Sequence, residues 1–193
     1  KVNLNLAEKR QDIVLKKIDQ LLNINTHKYL ILSNCCEIKD ITKKEAMSFL
    51  NQYHINGYAK STFCVGAWYY GKLFSVMTFV KNKTNEYTLN RFAIDDEYKC
   101  KNIQEKLFNY FIEKHRPTIV KTFTDRRYSN INDDTFTSIG FTFDGYTKPD
   151  YTFMYKTKSS LGRFNKNNIN KEITNKKQSS QLMKSSIEAA HDL

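Results

Sequence analysis

The stretch that decides the fold runs Phe63-Cys64-Val65-Gly66-Ala67-Trp68-Tyr69, Tyr70-Gly71-Lys72, Leu73-Phe74-Ser75-Val76-Met77-Thr78-Phe79-Val80, a polar break over Lys81 to Glu86, and Tyr87-Thr88-Leu89-Asn90-Arg91-Phe92-Ala93-Ile94. β-branched and aromatic residues fill three runs separated by turn formers, the pattern of an antiparallel meander. On either side the spacing changes to that of helices. Downstream, Ile103, Leu107, Tyr110 and Phe111 recur at helical intervals until Pro117, and a β-rich run, Thr118 to Thr124, follows. Upstream, Thr42-Lys43-Lys44-Glu45 reads as a capping box that opens a helix burying Ala46, Phe49 and Leu50 and ending near Tyr53-His54. Before it lie extended stretches at Tyr29 to Leu32 and around Cys36 to Ile38, and an amphipathic helix within residues 8–24 carrying Ile13, Val14, Ile18, Leu21 and Leu22. After it come a short helix stopped at Gly140 and two strands, Phe141 to Tyr146 and Tyr151 to Lys156, around the turn Thr147-Lys148-Pro149-Asp150.

The expected class is therefore α/β (α+β), with a mixed central sheet and flanking helices. An N-terminal helix or linker occupies 1–26, the main domain 27–157, and a basic extension 158–193. Residues 156–193 carry eight Lys or Arg against three Asp or Glu. The whole chain of 193 residues has a formal charge of +11, and its 13% aromatic content argues against wholesale disorder. Such a charge suits a polyanionic partner, nucleic acid ahead of membrane because no strongly basic amphipathic helix is present. A basic surface that serves only solubility explains it too. No apolar run reaches the roughly 20 residues that a membrane span needs, and no signal pattern opens the chain, so a cytoplasmic protein is expected. Cys35, Cys36, Cys64 and Cys100 form neither a CxxC pair nor a regular framework, so reduced thiols and no zinc site are expected.

The element order, together with Phe49-Leu50-Asn51-Gln52-Tyr53-His54-Ile55-Asn56-Gly57-Tyr58, Leu73 to Phe79, Leu89-Asn90-Arg91-Phe92 and Thr124-Asp125-Arg126-Arg127-Tyr128-Ser129, resembles the GNAT-like (N-acetyltransferase-like) domain of phage-type homing endonucleases. There a Vsr-like or related nuclease precedes the GNAT-like part. The likeness covers roughly residues 8–157 and, more weakly, the tail from Arg163-Phe164. It implies a possible upstream nuclease domain in a longer chain. A more distant resemblance is to Mom-type phage proteins, which resemble GNAT enzymes and modify adenine in DNA.

The resemblance implies an acetyl-CoA or other acyl-CoA site at a Gly-rich turn opening a helix, where free amides and the helix dipole meet pyrophosphate. Here the corresponding segment is Lys99-Cys100-Lys101-Asn102-Ile103-Gln104, with Asn102-Ile103 in place of a Gly pair. A β-branched residue there predicts an obstructed cradle, partly offset by the charges of Lys99 and Lys101. Phe136 stands where the family carries a Tyr able to protonate a departing thiolate. Both departures predict weak CoA binding and reduced or absent acyl transfer.

Tyr53, His54 and Asp125 are candidates for a proton-transfer or metal-binding cluster, as Mom-type proteins suggest. Asp125 is equally a loop cap or an ion-pair partner of Arg126 or Arg127. Arg91, internal to a strand, is costly unless paired or set against an anion, which suggests an active-face role. Arg126-Arg127-Tyr128 combines guanidinium groups with an aromatic plane suited to phosphate and base contact. Lys148 among nearby tyrosines, and Arg163 and Lys166 in the extension, are further phosphate candidates, although strand packing accounts for the tyrosines equally well. Three functions fit: a DNA-associated module that has lost catalysis, an acyl-CoA-dependent N-acyltransferase modifying DNA bases, or a non-enzymatic assembly component with an acidic partner.

Overall fold

The computed structural model describes residues 11–21, 29–124, 134–147, 152–156 and 161–165. In chain order the elements are α1 (Gln11–Leu21), β1 (Tyr29–Leu32), a 3-10 turn (Ser33–Cys35), β2 (Glu37–Asp40), α2 (Lys43–Tyr53), β3 (Phe63–Tyr69), β4 (Lys72–Lys83) and β5 (Glu86–Ile94). Then follow β6 (Tyr98–Lys101), α3 (Ile103–His115), β7 (Ile119–Thr122), α4 (Asp134–Thr137), β8 (Thr152–Lys156) and β9 (Leu161–Asn165). The chain divides into a compact unit of Asp12–Phe143 and a second made of Lys1–Gln11 with Asp144–Leu193.

In the larger unit the central sheet has the order β2-β3-β4-β5-β7, antiparallel except for the parallel pair β5-β7. A separate parallel pair joins β1 to β6. This is the mixed sheet with flanking helices expected from the residue pattern. Tyr70 and Gly71 both take positive φ, 46° and 76°, which gives the β3-β4 hairpin the twist that a two-residue connection requires.

Period-two alternation divides the side chains of the sheet between two cores. One face sends Val65, Met77, Phe79, Tyr87 and Leu89 against Ile103, Leu107, Phe108 and Phe111 of α3. The other sends Cys64, Val76 and Ala93 against Ala46, Phe49 and Leu50 of α2. At the start of α2 both arms of the capping box are made: the Glu45 amide donates to Thr42 Oγ1 at 3.2 Å, and the Thr42 amide donates to Glu45 Oε2 at 2.7 Å. All four cysteines are free thiols. Among the described residues no helix is long and apolar enough to cross a membrane.

Two expectations need correction. Tyr98–Lys101 is a strand, with Tyr98 and Cys100 buried and Lys99 and Lys101 exposed, rather than a loop. Residues 141–147 contain no strand, because Phe141 is used for packing: its ring lies 5.1 Å from Phe108 and 6.0 Å from Phe136. Instead β8 pairs with β9, antiparallel, so that Thr152 lies opposite Asn165 and Lys156 opposite Leu161.

Candidate functional site

The site begins where β5 parts from β7. The two strands pair only from Glu86 opposite Ile119 to Leu89 opposite Thr122, so from Asn90 to Ile94 no described strand pairs with that edge of β5. At the same point the β4-β5 register shifts: Thr78 pairs with Arg91 and Phe79 with Leu89, which leaves Asn90 as the extra residue of a bulge. Bulges bend a strand and re-aim its side chains. Beyond the bulge, Phe92 and Ile94 border two clefts. The larger, about 390 Å³, has Tyr53, His54, Asp95, Asp96 and Lys99 in its wall. The smaller, about 200 Å³, lies at the start of α3 and is lined by Asn102, Ile103, Gln104 and Glu105 together with Ser138 and Ile139. Cys100 contributes to both.

The entry to α3 is built by β6 and one left-handed residue. Asn102 has φ 61° and ψ 14°, a conformation that Asn adopts more readily than most side chains. It makes no side-chain cap bond, so the first amides of the helix have no partner from Asn102's side chain. Ile103 is 1% exposed and belongs to the core beneath α3. The expectation that its β-branched side chain obstructs an approaching phosphate is therefore corrected: the side chain is spent inward, and Asn102 takes the positive φ. Beside these amides Gln104 Nε2 is buried without a hydrogen-bond partner. An orphaned donor costs free energy unless a ligand or water accepts from it.

The larger cleft is organised by an acid that the residue pattern did not single out. Asp95 is 2% exposed. Its Oδ2 accepts from the Tyr53 hydroxyl at 3.0 Å and lies 3.0 Å from Lys72 Nζ, while its Oδ1 accepts from the Glu97 amide at 3.1 Å. Gln52 Nε2 donates to the same Tyr53 hydroxyl at 3.0 Å. Burial and the Asp95 charge push the Tyr53 phenol up to about 12, so it stays protonated at neutral pH. Burial opposes the charge on Lys72, but hydrogen bonding to Asp95 and its charge prevail and raise the ammonium above its ordinary value. Lys72 also lies 4.7 Å from the centre of the Tyr98 ring and 3.3 Å from Glu97.

Tyr53 and His54 share the wall of one cleft. His54 closes α2 with its amide on the Leu50 carbonyl, and its Nδ1 accepts from the Asn56 amide at 3.0 Å, which places the proton of the neutral ring on Nε2. Arg91 is not in the wall of either cleft. Its Nε donates to the Gly57 carbonyl at 3.1 Å and its Nη1 to the Asn90 carbonyl at 2.8 Å, so it ties β5 to the turn that follows His54. Burial lowers its pKa from the ordinary arginine value. These bonds to backbone carbonyls hold the guanidinium where the chain turns after α2. Lys99 borders the larger cleft, Asn102 and Gln104 the smaller, and Lys101 is exposed at the end of β6. Phe136 packs edge-on against Phe141. Asp125, Arg126, Arg127, Tyr128, Lys148 and Lys166 lie outside the described residues, and Arg163 falls in β9 opposite Met154. Among the described residues no group of His, Cys, Asp or Glu side chains is placed to hold a metal ion.

No protein-family model and no curated protein matches the sequence. Similar solved structures include a GNAT-family acetyltransferase from Streptococcus pneumoniae TIGR4, 16% identical with a TM-score of 0.48, covering 59% of this chain and 96% of that one. Another is the ribosomal-protein-alanine N-acetyltransferase from Brucella melitensis biovar Abortus 2308, 11% identical with a TM-score of 0.46, covering 61% and 99%. A third is an aminoglycoside acetyltransferase from an uncultured soil metagenomic sample, 15% identical with a TM-score of 0.45, covering 65% and 98%. What these proteins share with the chain is an arrangement of strands and helices.

Proposed function

We propose that this chain is a basic, GNAT-like module that works beside nucleic acid and retains a site for a CoA-type ligand without efficient acyl transfer. The observation that carries the ligand half is the edge of β5 from Asn90 to Ile94, with which no described strand pairs, next to the start of α3. A strand edge offers backbone donors and acceptors to an extended amide-bearing chain. A helix start offers amides and a favourable dipole to phosphate. The orphaned Gln104 Nε2 adds a donor in the same place, and Lys99 and Lys101 add positive charge on β6.

An acyl thioester held there would supply an activated carbonyl carbon for attack by an amine. The groups around it are poorly suited to complete a transfer. Phe136 has no proton to give, and the Tyr53 hydroxyl is held by Asp95 with its pKa raised to about 12. The nucleic-acid half rests on a different observation, the net charge of +11.

Calorimetry with CoA tests the ligand half. Binding with a Kd of about 100 μM or tighter, ~−5.5 kcal/mol, is expected. Asn102→Gly should keep it, whereas Asn102→Val, which places a β-branched residue at positive φ, should abolish it. A folded protein that gives no heat at millimolar CoA sinks the ligand reading. Steady acylation of an amine or of DNA from acetyl-CoA, followed by mass spectrometry, would replace it with an active transferase.

A further inference from the structure

The basic residues are distributed unevenly along the sheet. The end that carries the clefts is locally balanced: Lys72 is bound by Asp95 and Glu97, Lys106 donates to the Ser33 and Cys36 carbonyls at 2.6 and 3.2 Å, and Asp96 and Glu105 stand near Lys99 and Lys101 in sequence. The opposite end differs. β4 finishes there with Lys81 and Lys83, β5 and β7 begin there, and α3 ends there at Arg116. Direct bonds join these pieces: the Thr118 amide donates to the Asn85 carbonyl at 2.8 Å, and Thr62, two residues after Lys60, accepts from the Lys81 amide on its Oγ1 at 3.0 Å and donates its own amide to the Phe79 carbonyl at 2.7 Å.

Lys60, Lys81, Lys83, Arg116 and Lys121 are all exposed at this end, and none has a carboxylate within ion-pair distance among the described residues. Of the nearby acids, Asp40 is engaged by Lys114 and Glu45 by Thr42, which leaves Glu86 across the hairpin from Lys83 and Glu113 in the last turn of α3, fewer than the basic residues around them. Uncompensated positive charge at one end of the sheet, spread over both of its faces, attracts a polyanion, which releases its own counterions on binding.

We infer that this sheet end, formed by Lys60, Lys81, Lys83, Arg116 and Lys121, is the surface that holds the phosphates of a nucleic acid, at the far side of the domain from the clefts. The inference rests on the nucleic-acid half of the proposed function and gives it a location. It also separates the two tasks: the polymer is gripped at one end of the strands while the ligand site opens at the other. Bases do not enter the clefts by this contact, so binding is indifferent to sequence.

The test is fluorescence anisotropy of a labelled mixed-sequence duplex with the full-length protein, titrated between 25 and 200 mM NaCl. The triple variant Lys81→Gln/Lys83→Gln/Lys121→Gln should weaken binding about tenfold or more at low salt. It should also reduce the slope of log K against log salt by up to about 2.7, at about 0.9 for each phosphate no longer neutralised. The double variant Lys99→Gln/Lys101→Gln at the cleft end should leave affinity and slope within about twofold of wild type. Circular dichroism melts confirm that each variant folds. If the wild type binds no duplex or single strand at 25 mM NaCl, the nucleic-acid reading itself fails. If it binds and the triple variant binds equally well, or if the double variant is the one that loses affinity, the location is wrong. Binding to phosphatidylserine vesicles without binding to DNA overturns the choice of partner.

Discussion

Phe111→Ala is expected to lower the unfolding free energy by about 3–5 kcal/mol, the range for emptying a large aromatic site in a packed core. Phe111 is completely buried where α3 meets the sheet. Its ring stacks on Phe79 with centroids 3.6 Å apart and planes 7° apart, and it meets Tyr87 edge-on at 5.2 Å. These partners sit on β4 and β5, the central strands, whose backbones cannot close over the void without giving up ladder bonds. The midpoint of thermal unfolding should fall by roughly 10–15 °C for a chain of this size. Phe111→Leu, which refills most of the space, should cost only about 1–1.5 kcal/mol. Urea titration of the three proteins checks both numbers. A Phe111→Ala protein within about 1 kcal/mol of wild type would mean that α3 is not seated on this face of the sheet.

The second large effect is expected at Asp95. Asp95→Ala removes the acceptor of the Tyr53 hydroxyl, the Glu97 amide and the Lys72 ammonium together, and should cost about 2–3 kcal/mol, chiefly for the partly buried donors left unsatisfied, since Lys72 is half exposed and keeps Glu97. Asp95→Asn keeps an acceptor for Tyr53 and should cost less, whereas Tyr53→Phe loses one hydrogen bond and should cost about 1 kcal/mol. The pH dependence follows from Lys72, whose pKa is raised on folding. A raised ammonium stabilises the native state fully below its unfolded value, about 10.4, and the contribution disappears as the pH climbs through the folded value. Urea midpoints for wild type should therefore hold from neutral pH to about 10 and then fall faster than those of Lys72→Met. Parallel declines would show that the Lys72–Asp95 pair contributes nothing to stability.

Much of this architecture was legible because local chemistry and tertiary packing agree. Thr42 and Glu45 announce the start of α2, and the alternation through Val65, Met77 and Leu89 already assigns one face of the meander to a core. The short helix before Gly140 was readable for the same reason. Where the two disagreed, the reading failed. Tyr98 to Lys101 alternates buried and exposed residues as a strand should, yet its position before a helix drew attention to a loop role. Phe141 and Phe143 look like strand residues, but Phe141 is spent on packing against Phe108. Asp95 resembles a turn residue in the run Asp95-Asp96-Glu97, because its partner Tyr53 is 42 positions away in sequence. For Arg91 the residue type was legible but not its partners, because the Gly57 carbonyl comes from a turn that no periodicity specifies.

The parallel pairing of β1 with β6 carries a kinetic consequence. Tyr29 lies beside Tyr98 and Leu32 beside Lys101, pairings that bring together segments far apart in the larger unit. Joining such distant segments costs loop entropy before any ladder bond offsets it, whereas the hairpins between β3, β4 and β5 close at short range. The meander and α3 can therefore assemble first, and β1 docks onto β6 last. Native openings tend to reverse that order at the lowest free energy. Tyr98 and Cys100, which carry the β1 pairing, also line the larger cleft. The β6 side of that cleft thus lies against the last strand to set and the first to loosen, while its β5 side belongs to the meander, so the release of β1 can alter the cleft without disturbing the central sheet.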